Sequence, residues 1–246
     1  MTTPHGFWTK IRLTLSTPRR GRGFWYGLAI DALWPFVMVF TRSSWQGGEH
    51  IPATGPVLIA SNHVSFADPV TVTAYVLGHG RIPRYLAKAG LWRIPVVRSV
   101  LSGGKHIPVH RGSARATDAY RDAVKAIENG ECVLVFPEGT FTADPDGWPS
   151  VQQAKSGIAR LALATGAPVV PIGHWGTQFV LPQQARFPRL LPRQRVAIRA
   201  GAPIDLSDLV GVEQTREVVE EATRRIMAGI TEQLEVARGE KVPQAG

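Results

Sequence analysis

The sequence predicts an α/β fold: a mixed, largely parallel central sheet flanked by helices, with an N-terminal helical hairpin for membrane docking. Two observations predict the α/β part. Short apolar runs of strand length recur between residues 56 and 199, and segments of helical period stand between several of them. The 246 residues, 44% apolar, are enough for one sizeable domain with terminal appendages. The expected division is residues 1–45 for the docking helices, 46–205 for the α/β domain and 206–246 for a C-terminal amphipathic helix and tail.

Residues 56–61, 84–87, 106–109, 132–136, 169–172 and 196–199 read as strands. Ser113 can cap a helix running to Glu128, with Ala116, Tyr120, Val124 and Ile127 on one face and Asn129-Gly130 as its stop. Residues 153–165 read the same way, with Ile158, Leu161 and Ala162 inward and Gly166 at the end. Residues 213–237 carry Val219, Ala222, Ile226, Ile230 and Leu234 at helical spacing, a helix that would cover the sheet. Residues 238–246 are expected to lack fixed structure.

The N-terminal run "GFWYGLAIDALWPFVMVF" (23–40) is apolar and aromatic but carries Asp31 and Pro35. It is shorter than the roughly 20 apolar residues of a bilayer span, and Pro35 is expected to break it. It starts late and has no small-residue cleavage site after Phe40, so it does not read as a signal peptide. Trp8, Trp25, Trp34 and Trp45 fall among Lys10, Arg12, Arg19, Arg20, Arg22 and Arg42. Such interleaving suits a headgroup layer; a hairpin simply packed on the domain is the alternative.

The formal charge is +9 and the pI about 10.3, and the charge is local. A second basic block, Arg186, Arg189, Arg193, Arg195 and Arg199, contains no acid and interleaves with Phe187, Leu190 and Leu191. It reads either as a solvated basic face or as a lip touching anionic lipid. The aromatic–basic clustering at one end favours a membrane over nucleic acid as polyanionic partner. The single cysteine, Cys132, excludes an internal disulfide framework and reads as a buried strand thiol. His106 and His110 are four apart, but Pro108 and the strand-like pattern deny them a shared helical face, so no metal site is expected.

Chemistry concentrates in two strand-to-loop junctions. "NHVSFAD" (62–68) follows the apolar run 57–60 and sets His63 five residues before Asp68. A carboxylate on one imidazole nitrogen leaves the other free to accept a proton, which is general-base chemistry. Asp68 followed by Pro69 also reads as a plain helix cap, and His63 as a loop histidine satisfied by backbone. No G-x-S-x-G nucleophile elbow exists, and nothing marks Ser65 as activated. A substrate hydroxyl can supply the nucleophile instead. "FPEGT" (136–140) places Glu138, Gly139 and Thr140 at the end of a second strand, where glycine lets a backbone approach a ligand; a plain turn is the alternative.

These two segments resemble the first and third motifs of the 1-acylglycerol-3-phosphate acyltransferase family, the glycerolipid acyltransferases with an H-x4-D motif, bacterial type. "GKHIPVHR" (104–111) resembles its second motif and "APVVPIG" (167–173) its fourth, in matching order. The resemblance covers residues 50–200 or so. It implies an α/β fold, an N-terminal membrane-docking helical pair, and a peripheral or monotopic place on the cytoplasmic face of the cell membrane. It also implies an acyl-CoA or acyl-carrier-protein donor, a lysophospholipid acceptor, and no metal or organic cofactor.

Residue by residue, the resemblance makes His63 the general base and Asp68 its orienting partner. Glu138, Gly139, Thr140 and Asn62 become substrate-binding, and Arg111 and Lys88 become cations for the acceptor phosphate. Two positions depart from the family pattern. Phe141 stands where an arginine usually follows the third motif, and His110 where Asp or Asn usually precedes Arg111. The expected activity is transfer of a fatty acyl group to the sn-2 hydroxyl of 1-acyl-sn-glycerol 3-phosphate, giving phosphatidic acid. The competing readings are a same-fold acyltransferase acting on another lysolipid or at sn-1, and a non-catalytic lipid- or nucleic-acid-binding protein.

Overall fold

The apolar run VLIAS forms strand β2 (Val57–Ser61), in which all five side chains are buried. Such a strand needs both faces covered, as in parallel sheets sandwiched by helices. The structure, a computed structural model, describes residues 22–110 and 116–243. The other strands are β1 (Thr41–Gln46), β3 (Pro83–Lys88), β4 (Ile107–Val109), β5 (Cys132–Val135), β6 (Val169–Trp175) and β7 (Gln194–Ala200). They form one sheet in the order β1-β7-β6-β2-β5-β3-β4. All neighbours are parallel except β6 and β7.

Alternation along the strands separates two cores. Val57 and Ile59 face one layer, which includes Trp45, Val72, Tyr75 and Leu77. Leu58 and Ala60 face the other. The first layer is covered by α1 (Phe24–Phe40), α2 (Asp68–Gly78) and α3 (Pro95–Gly103). The second is covered by α4 (Ala116–Glu128), α5 (Gly157–Thr165) and α7 (Arg216–Arg238); a short α6 (Thr177–Val180) follows β6. Val219, Ala222, Ile226, Ile230 and Leu234 of α7 are all buried, as their spacing predicts. Gly173 on β6 lets α7 lie on the sheet, since a Cβ there would come within 2.1 Å of the Leu234 nitrogen. Cys132 is buried in β5, and burial pushes its thiol up to about 12.

The N-terminal region differs from expectation in two ways. Pro35 does not break the run: α1 is continuous over 17 residues. Tyr26, Ile30, Trp34 and Met38, one per turn, are buried on the domain, so tertiary packing holds the helix through the proline. The opposite face exposes Phe24, Trp25, Leu28, Leu33, Phe36 and Val39. No helix among the described residues is long and apolar enough to cross a membrane. The first arm of the expected hairpin lies outside the described residues. Thr41–Gln46, assigned by sequence largely to the docking segment, is instead the edge strand β1, anchored by buried Thr41 and Trp45 and paired with β7. Trp45 stacks on Trp34 at 5.2 Å, tying α1 to the sheet.

Candidate active site

β2 ends at Ser61 and delivers Asn62 and His63 to the carboxyl edge of the sheet, where ligands of α/β proteins gather. The next turn leads into α2, with Asp68 as its first residue and Pro69 behind it. Asp68 does not serve as an ordinary helix cap. Its side chain turns back into the preceding loop, where Oδ2 accepts from the amides of Val64 at 2.6 Å and Ser65 at 2.8 Å. The same oxygen lies 2.8 Å from His63 Nδ1. The other oxygen accepts from the Thr177 hydroxyl at 2.5 Å. His174 Nε2 stands 2.9 Å from that oxygen, off the line of a well-directed hydrogen bond.

Burial would raise the Asp68 carboxyl, but His174 and His63 together outweigh it and hold Asp68 well below the usual carboxylate range. An ionised Asp68 fixes the proton of His63 on Nδ1 and leaves Nε2 as the available nitrogen. The imidazole itself stacks on Phe136 at 4.2 Å and touches Phe141 at 4.5 Å. Its side chain is 15% exposed, against 0% for Asp68. One residue of the pair can therefore be reached from outside and its partner cannot.

His63 lines an apolar cavity of about 530 Å³, within the range of roughly 300–1,000 Å³ typical of small-molecule sites. Ile30 and Trp34 of α1 form one wall, Val70 and Ala74 of α2 another, and Leu86 of β3 and Phe136 flank it. Gly139, Thr140 and Lys88 add polar or close-approach positions along the same lining. Gly139 has φ of 72°, a left-handed conformation that glycine adopts without cost, and its amide closes a turn onto the Phe136 carbonyl. Lys88 ends β3 opposite Val109 of β4. Arg111, two residues beyond Val109, lies outside the described residues.

Two other sequence-derived candidates face elsewhere. Asn62 is buried and clasps the His174 backbone, donating to its carbonyl and accepting from its amide, each at 2.9 Å. It joins β2 to β6 and is not among the cavity's lining residues. Glu138 is also buried and outside the lining, and accepts from the Ser150 amide at 3.3 Å. Burial holds its carboxyl above the ordinary value, with Thr142 and the amides of Ser150 and His63 pulling the other way. The Thr142 amide donates to the His63 carbonyl at 2.8 Å, and its hydroxyl to the Trp148 carbonyl at 2.7 Å. Glu138 and Thr142 thus brace the loop that carries His63.

Ser65 is buried, and its hydroxyl donates to the Leu181 carbonyl at 2.7 Å, which disqualifies it as a nucleophile. His106 accepts from the Tyr85 amide at 3.0 Å, and burial pushes it down to about 4. The sequence reading missed His174 and Thr177. Both meet Asp68 from more than a hundred positions away. The only sequence signal was a histidine directly after the "VVPIG" strand, in line with the strand end that bears His63.

The fold and site define an α/β protein with an oriented histidine at the edge of an apolar cavity of small-molecule size. The family model for the acyltransferases, described simply as Acyltransferase, matches residues 42–175, more than half of the chain, and the chain belongs to that family. It is 32% identical over 157 residues to the chloroplastic 1-acyl-sn-glycerol-3-phosphate acyltransferase BAT2 of Brassica napus, covering 62% of this chain and 43% of that protein. It is 26% identical over 184 residues to the 1-acyl-sn-glycerol-3-phosphate acyltransferase of Bacillus subtilis, covering 72% of this chain and 83% of that one. The chain thus spans less than half the length of the chloroplastic relative. The solved structure of the 1-acyl-sn-glycerophosphate acyltransferase PlsC of Thermotoga maritima shares the fold, with a TM-score of 0.60 and 24% identity over 92% of this chain and 86% of that one.

Proposed function

We propose that the protein transfers a fatty acyl group from acyl-CoA or acyl-carrier protein to the free sn-2 hydroxyl of 1-acyl-sn-glycerol 3-phosphate. The observation that carries the proposal is the His63–Asp68 contact at the edge of the apolar cavity. The acyl chain would occupy that cavity, with its thioester carbonyl beside His63. His63 Nε2 takes the proton of the acceptor hydroxyl as the oxygen attacks the carbonyl carbon. The tetrahedral intermediate expels the thiolate, which recovers the proton from the imidazolium. Ester and thiol are the products, and no enzyme nucleophile is consumed. Positioned general-base assistance of this kind is worth about 10²–10⁴ in rate.

Lys88, exposed and lining the cavity, is suited to the acceptor phosphate, with Arg111 as the second expected cation. The backbone at Gly139 and Thr140 offers the close approach an acceptor glycerol needs. On this reading the exposed face of α1 lies in the headgroup and acyl boundary of a membrane, so that lipid enters the cavity across the helix that walls it. A lysolipid with another headgroup is the second reading. It is favoured by Phe141, which sets an aromatic ring against His63 where the family usually offers an arginine.

The test is a panel of lysolipid acceptors assayed with one acyl-CoA and one acyl-carrier protein. The proposal expects 1-acylglycerol 3-phosphate to show the highest kcat/KM and phosphatidic acid to be the product. Absence of turnover on every acceptor with both donors contradicts it.

A further inference from the structure

The β6–β7 connection is a basic and apolar lip that belongs neither to the cavity nor to α1. Between Asp146 and Asp205 the chain has no acidic residue, while Arg186, Arg189, Arg193 and Arg195 cluster within ten positions. Phe187 is 77% exposed and Leu191 78%, among the most exposed large apolar side chains of the described residues. Arg186 and Arg189 are exposed, and no acidic partner meets either among the described residues. Arg195 is register partner to Arg42 on the neighbouring edge strand, and neither meets an acidic partner among the described residues, so two further cations stand side by side. Like charges placed opposite each other on adjacent strands repel unless an anion lies across them.

Both ends of this lip are fixed to functional elements. At the start, Ser65 donates to the Leu181 carbonyl at 2.7 Å and the Gln183 amide group donates to the Val64 carbonyl at 3.3 Å, which ties the lip to the turn between His63 and Asp68. At the end, the Arg193 guanidinium donates to the carbonyls of Met38 at 3.3 Å and Thr41 at 2.8 Å, closing the C-terminus of α1. The lip therefore bridges the outward-facing helix and the catalytic turn.

We infer that residues 186–191 dock on an anionic phospholipid surface, Arg186 and Arg189 on headgroup phosphates and Phe187 and Leu191 in the acyl boundary. The partner follows from the pairing of exposed cations with exposed apolar side chains: phosphate alone would not call for Phe187 and Leu191, and an apolar partner would not call for the arginines. The inference rests on the membrane part of the reading above and adds a second contact, independent of α1, that holds the catalytic turn against the lipid from which the acceptor comes.

The test uses the full chain and vesicles of phosphatidylcholine with or without phosphatidylglycerol. Wild type is expected to co-sediment with the anionic vesicles and to be released only in part by salt. The double variant Arg186→Gln, Arg189→Gln is expected to lose roughly 30-fold in partitioning onto them, the loss of two surface cations. The double variant Phe187→Ser, Leu191→Ser is expected to lose part of the binding that survives high salt, the remainder being held by the exposed face of α1. Both variants should keep wild-type kcat/KM on substrates dispersed in detergent micelles, which a merely structural role in bracing Val64 and Ser65 would not allow. Unchanged vesicle binding in both variants overturns the inference, as does loss of duplex-DNA binding with vesicle binding intact. Loss of vesicle binding in a wild-type-like chain that transfers no acyl group supports the lip while defeating the proposed reaction.

Discussion

His174 Nε2 lies 2.9 Å from Asp68 Oδ1, and neither side chain has any exposure. Asp68 is thus shared between two imidazoles, one at the cavity and one in the interior. An acid flanked in this way stays ionised and immobile, as the proposed general-base role of His63 would require of its partner.

Replacing His174 by Gln should weaken both properties. The Asp68 carboxyl is depressed in the folded protein, so it contributes stability above the ordinary carboxylate range and loses it as pH falls below that range. Removing His174 lets the folded value rise toward the unfolded one and shrinks that contribution. The expected cost is about 1–3 kcal/mol near neutral pH, with an acid-unfolding midpoint, followed by circular dichroism, at higher pH than wild type. Positioning also suffers, and kcat should fall by about tenfold or more, equivalent to 1.4 kcal/mol at the transition state.

Glu138 has the opposite sign. Its folded value is raised by burial, so the stability linked to it is complete below the ordinary carboxylate range and is lost as pH rises through the folded value. Glu138→Gln removes this penalty. Its melting temperature should exceed wild type at neutral pH, by about 2–4 °C for each kcal/mol recovered, and match it in acid. Calorimetry at the two pH values checks this; a lower melting temperature at neutral pH contradicts it.

Arg238 sits between two tryptophans, its guanidinium 4.0 Å from the Trp148 ring centre and 3.9 Å from that of Trp175. It also donates to the Asp146 carbonyl at 2.7 Å. The clamp joins the end of α7 to the loop that braces His63 through Trp148 and Thr142. Arg238→Ala should cost about 1–3 kcal/mol in urea unfolding, shift tryptophan emission to the red and lower kcat; Arg238→Lys should recover part of each.

Ala74 lines the cavity from α2 and is buried. Ala74→Phe fills space that a long acyl chain would use. The ratio of kcat/KM for long over short acyl donors should fall by about tenfold or more, given about 1–3 kcal/mol per methylene accommodated. An unchanged ratio would show that the chain lies elsewhere.

Much of this was legible in the sequence where the signal is local. β2, β5 and the first half of β6 are apolar runs because both their faces are covered, and α7 shows its buried stripe at helical spacing. His63 and Asp68 are five residues apart, so one turn brings them together. β1 was not legible: in TRSSWQ only Thr41 and Trp45 are buried, too few to mark an edge strand whose partner lies 153 positions away. The continuity of α1 through Pro35 depends on packing against Trp45, which periodicity does not report. His174 and Thr177 reach Asp68 only because β6 pairs with β2, a long-range parallel pairing with no local trace. Asn62 and Glu138 sit in the expected motifs, but backbone direction turns their side chains to bracing the site.

The central claim is that His63 removes the acceptor proton. The most direct measurement is thiol release from acyl-CoA with 1-acylglycerol 3-phosphate, comparing wild type with a His63→Ala variant whose melting temperature and circular dichroism match it. The account predicts a loss of about 10²–10⁴ in kcat with little change in KM. Equal turnover in the two proteins would contradict it.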